Sequence, residues 1–86
     1  MIDKTANPIG WALFLYELND AHEHLGEMIK SLAESAEYSE GELIVELGHV
    51  YAHLNRAWCR RNAPEDLTEA EWEAGSRFPT DLMPVG

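Results

Sequence analysis

From Trp11 to Ala36 apolar side chains recur at steps of three and four, through Phe14, Leu15, Leu18, Ala21, Leu25, Met28, Ile29 and Leu32. That spacing is one continuous stripe along a long helix. Asn7 and Pro8 stand just ahead of it, one suited to capping and the other to the first helical position. In a chain of 86 residues a helix running from about 8 to 36 leaves room for only one further long element. Ser39-Glu40-Gly41-Glu42 reads as a capping box that opens it, with Tyr38 and Leu43 placed as a hydrophobic staple. The second helix then runs from about 39 to 62, because Pro64 disfavours helix in the residue before it. Thr68-Glu69-Ala70-Glu71 repeats the box and predicts a short helix over about 68 to 75. Two prolines in residues 76 to 86 make that segment an extended tail, whose Phe78 and Leu82, with Trp72 of the short helix, are expected to seal part of the hairpin.

Two long helices joined by a short turn near Glu37 make an antiparallel hairpin, so the expected fold is all-α and a single domain over residues 1 to 86. A wheel at about 100° per residue places Leu43, Leu47, Val50, Leu54 and Trp58 of helix two along one seam, flanked by Ile44 and Tyr51. Gly48, Ala52, Asn55 and Cys59 follow further round as a row of mostly small residues. Glu42, Glu46, His49, His53, Arg56 and Arg60 form a narrow polar stripe, which reads as the solvent face. This helix is too apolar for a partner on one side only. The simplest cover is a second copy, giving a homodimeric four-helix bundle with Leu15, Ile29, Ile44, Gly48, Tyr51, Ala52 and Trp58 at the interface.

His22 falls within the apolar stripe of helix one, level with Tyr51 and Asn55, so these three are expected as a buried polar group joined by hydrogen bonds. Glu17, Asp20 and His24 share a face of helix one at i, i+3 and i+7 and could ligate a cation; Glu17 is also expected near Arg60 or His53 across the hairpin, and a surface ion-pair cluster is the favoured reading. Glu46 and His49 form a Glu-x-x-His element of the kind that supplies metal ligands in carboxylate-bridged bundles, and His53 adds an i, i+4 partner. Glu46, His49, His53 and Glu17 are therefore the candidate metal ligands. On the wheel their stripe faces water, so a solvated face is the favoured reading and no cofactor is expected.

Sixteen acidic side chains against six basic ones give a net charge of -10, which argues against direct binding to nucleic acid or to anionic membranes. A single cysteine, Cys59, excludes an internal disulfide framework. No apolar run approaches the length of a membrane span, and the basic start of a signal peptide is missing, so a cytoplasmic protein is expected. No nucleophile triad, phosphate loop or zinc signature occurs, and catalysis is not expected. The reading is a small acidic interaction module that self-associates and can take a protein partner. A metal-binding bundle and an acidic inhibitor or mimic that occupies a basic site are its alternatives.

Overall fold

The computed structural model describes residues 1–86 and is all-helical, with α1 at Pro8–Glu34, α2 at Glu40–Arg60 and α3 at Glu69–Gly75. Each helix starts where its sequence signal stands, and two of the three caps differ in detail from the expectation. Thr68 and Glu71 form the full reciprocal box: the Thr68 hydroxyl accepts from the Glu71 amide, and the Glu71 carboxylate accepts from the Thr68 amide. At Ser39 only the first half forms, at 3.1 Å from the Glu42 amide. Asn7 caps nothing in α1; its side-chain oxygen accepts from the Asp3 amide instead. This local turn, with Asp3 accepting from Thr5 and Ala6, brings the N-terminus back over α2. There the Ile2 amide donates to the Arg61 carbonyl and the Ile2 side chain is buried.

α1 and α2 pack as the antiparallel hairpin. The start of α1 lies against the turn after α2, where the Gly10 amide donates to the Pro64 carbonyl at 3.1 Å. A Cβ at position 10 would stand 2.1 Å from the Ala63 carbonyl oxygen, so glycine is required there. A second close approach occurs at Gly75, where a Cβ would lie 2.8 Å from Cys59 Sγ. Part of the small-residue row on α2 is thus used within the chain, to receive the end of α3. Gly48, in the same row, has open space around it.

The tail is tied to α2 at several points. Asp81 accepts from the Trp58 indole at 2.9 Å and from Arg61 at 3.3 Å, while the Ser76 carbonyl accepts from Asn55. Neither α3 nor the tail seals the hairpin: Trp72 of α3 remains 45% exposed, and Phe78 and Leu82 of the tail 67% and 47%. Trp72 is held through its ring face, with the Arg56 guanidinium 4.4 Å from the ring centre.

An apolar core within the chain is nearly absent. Only Ile2, Ala21, Met28, Val50 and Ala57 are buried hydrophobic side chains, and the other buried side chains, Glu17, His53, Asn55, Arg56 and Arg60, are polar. The polar stripe of α2, expected in water, therefore faces α1. The expectation failed because it took the most apolar arc of α2 to be the arc that meets α1. The hairpin instead closes along small and polar positions with Met28 and Val50, leaving most of the leucines to one flank.

Candidate functional site

Two features are built on this hairpin, a charged seam between the helices and an apolar face beside it. Glu17 is the centre of the seam. One of its carboxylate oxygens lies 3.0 Å from His53 Nδ1, and the other accepts from Arg56 Nε at 2.8 Å and from Arg60 Nε at 3.4 Å. His53, Arg56 and Arg60 follow at helical spacing on one side of α2, so a single carboxylate from α1 meets three donors. Asp66 takes a further Arg60 hydrogen bond at 2.9 Å. All four central side chains are at most 8% exposed, and no buried side-chain polar atom lacks a partner. The expected pairing of Glu17 with His53 and Arg60 is present, in the interior and not at the surface.

Next to this seam three imidazoles gather. His53 Nε2 stands 3.0 Å from His49 Nε2, and the His24 ring, from α1, lies over both with centres 4.3 and 5.5 Å away. Asp20, one turn before His24, places a carboxylate oxygen 3.9 Å from His53 Nε2. Burial holds the His49 imidazole below its ordinary range; the neighbouring His24, His53 and Arg56 add to this, and Asp20 opposes it. Glu46 lines a small cleft with His24 and His49 and accepts the Tyr38 hydroxyl; partial burial together with this carboxylate pushes the Tyr38 phenol up to about 12.

The apolar face follows from the wheel. Taking the buried Glu17 and His53 as the facing positions, about 100° per residue sets Phe14, Leu18, Leu25, Ile29 and Leu32 to one flank of the α1 seam. Leu43, Leu47, Leu54 and Trp58 fall to the corresponding flank of α2. In an antiparallel pair the two rotations run in opposite senses when viewed along one axis, so both stripes lie on the same side of the hairpin. Leu18, Leu25, Ile29, Leu32 and Leu54 are between 37% and 56% exposed. An open groove of about 670 Å³ extends this face along α2, between Tyr51, Leu54 and Trp58 and the tail residues Phe78, Leu82 and Met83.

The residues singled out from the sequence divide between these features. Leu15, Ile29, Ile44 and Tyr51 are exposed apolar side chains, and Trp58 is half-buried beside the groove. Gly48 and Ala52 lie on the other side of α2, in the row that meets α3. The buried polar trio does not form. Asn55 is buried and donates to the Ser76 carbonyl, whereas His22 is exposed and Tyr51 packs its ring edge to face with Phe78. His22 lies outside because the α1 stripe is wide and only its Glu17, Ala21, Met28 edge is covered. Asp20 and His24 stand out in the sequence as possible cation ligands on the Glu17 face of α1, but their grouping with His49 and His53 across the hairpin was not expected. No protein-family model matches this chain, and no curated protein or solved structure is significantly similar to it.

Proposed function

We propose that this chain is a self-associating interaction module whose active unit is a pair of hairpins joined through the apolar face. The observation that supports the reading is the poverty of the internal core: five buried hydrophobic side chains, none of them fully enclosed, beside two exposed apolar stripes on one side of the same hairpin. Monomeric proteins rarely leave apolar patches of more than a few hundred Å² bare. A domain of this size with so little apolar burial has little to set against the entropy of ordering its chain. A second copy is the occupant that fits. The face is two parallel stripes from two antiparallel helices, and a two-fold axis through its centre would lay each stripe on a copy of itself or of its neighbour, completing four helices around one apolar centre. The acidic surface then lies outside, where its charge opposes further association.

Sedimentation equilibrium tests the proposal. The wild-type chain is expected at twice its 9.7 kDa mass at micromolar concentration. Leu25→Glu and Leu54→Glu put carboxylates on surfaces that are open to water in the hairpin and buried in the pair, so each should shift the species towards monomer. A wild-type monomer, or variants that associate as before, would contradict the reading.

A further inference from the structure

We propose that His24, His49 and His53, with Asp20 as the fourth ligand, form a binding site for a divalent transition-metal ion of the zinc type that clips α1 to α2. The candidate ligand atoms of the three histidines all lie within 4.8 Å of one another. His49 and His53 are already at 3.0 Å, close to the edge of about 3.3 Å in a tetrahedron whose metal–nitrogen bonds are about 2.0–2.1 Å. Closing the remaining distances takes a movement of about 1.5 Å in the His24 ring, within the reach of a side-chain adjustment.

The seam orients the central ligand. A ring nitrogen and a carboxylate oxygen 3.0 Å apart share a proton when Nδ1 is protonated, so in that tautomer His53 Nδ1–H donates to Glu17, with Arg56 Nη2 3.2 Å from the same nitrogen. In that neutral tautomer its Nε2 carries a lone pair, 3.0 Å from His49 Nε2. A metal ion would take up that lone pair. Arg56 and Arg60 fix Glu17, which makes Glu17 a positioning residue of the carboxylate–histidine–metal type and removes it from the ligand set. Glu46, on the same cleft, is engaged by the Tyr38 hydroxyl.

Two i, i+4 pairs, Asp20 with His24 and His49 with His53, thus face each other from adjacent helices. Three imidazoles and one carboxylate suit zinc and its neighbours over calcium or magnesium, which prefer oxygen. His49 is exposed and borders a cleft of about 140 Å³, which gives a cation access. On the wheel the cluster lies on the flank of the seam away from the apolar face. One ion per chain is therefore expected, independent of the pairing proposed above.

The test uses the full chain without a histidine tag, stripped with chelator and titrated with zinc sulfate in a calorimeter, with Co(II) as a spectroscopic substitute. One zinc per chain, the intense visible absorption of four-coordinate Co(II), and a zinc-dependent rise in melting temperature are expected. His24→Gln and His49→Gln, both at positions that are not fully buried, should each weaken zinc binding at least tenfold while helicity is kept. His22→Gln should bind as the wild type does. Absence of zinc uptake by the wild-type chain, Co(II) spectra of the six-coordinate aquo type, or unchanged affinity in both ligand variants would overturn the proposal.

Discussion

Glu17 makes three of the side-chain contacts that join α1 to α2. Its carboxylate lies between two guanidiniums and an imidazole in a buried seam, so its removal leaves the buried Arg56 guanidinium without a counter-ion, while Arg60 keeps Asp66. Such a loss costs about 3–5 kcal/mol, against the roughly 1 kcal/mol at most of an exposed pair. Glu17→Gln keeps the shape and one acceptor, and is expected to lower stability by about 3 kcal/mol in urea denaturation. A change below about 0.5 kcal/mol would mean that the seam is hydrated. The sequence shows the spacing of His53, Arg56 and Arg60 and the register that sets Glu17 against them. It does not show that they are buried, because a wheel ranks side chains by polarity and a satisfied ion cluster has the polarity of a surface.

At the scale of elements, the three helices and their order are legible because start signals are local: a cap, a box or a proline acts within one turn. Where the helices meet is less legible. Gly10 and Gly48 look alike in the sequence, yet one is pressed against the Ala63 carbonyl and the other stands in open space. Gly10→Ala should therefore destabilise the chain by more than about 2 kcal/mol, because backbone must shift to admit the methyl group. Gly48→Ala should stabilise it by up to about 1 kcal/mol through helix propensity alone. Thermal melts of the two variants that move in the same direction would refute this assignment of contacts.

α3 and the tail carry a pH signature. Glu71 is held below its usual range by the Thr68 amide, Asp81 chiefly by the Trp58 indole, and Asp66 by Arg60. A carboxylate whose native pKa is depressed contributes stability above its unfolded value and loses it as pH falls through the native one. These contacts are complete at neutral pH, and acid below the ordinary carboxylate range should release α3 and the tail. Tryptophan fluorescence should report the change at Trp72 and Trp58. A signal flat from pH 7 down to global unfolding would show that these contacts do not hold the segment.

At the scale of the molecule, the excess of apolar surface on α2 was legible in composition and periodicity, and the flank on which it lies was not. Val45 illustrates the difference: it is apolar and 70% exposed, yet it sits away from the Leu18, Leu25 and Leu54 face. Only the pairing of the two helices turns two separate stripes into one surface. On the proposed pairing, the large apolar side chains outside the chain's own interior are covered by a second copy. Folding and association are then one equilibrium, and the melting temperature should depend on protein concentration. Calorimetric or circular-dichroism melts from a few micromolar to near a millimolar measure this directly. The melting temperature is expected to climb steadily with the logarithm of chain concentration. A midpoint that stays constant over that range, with a single sharp transition, would show that the hairpin is stable alone and would contradict the account.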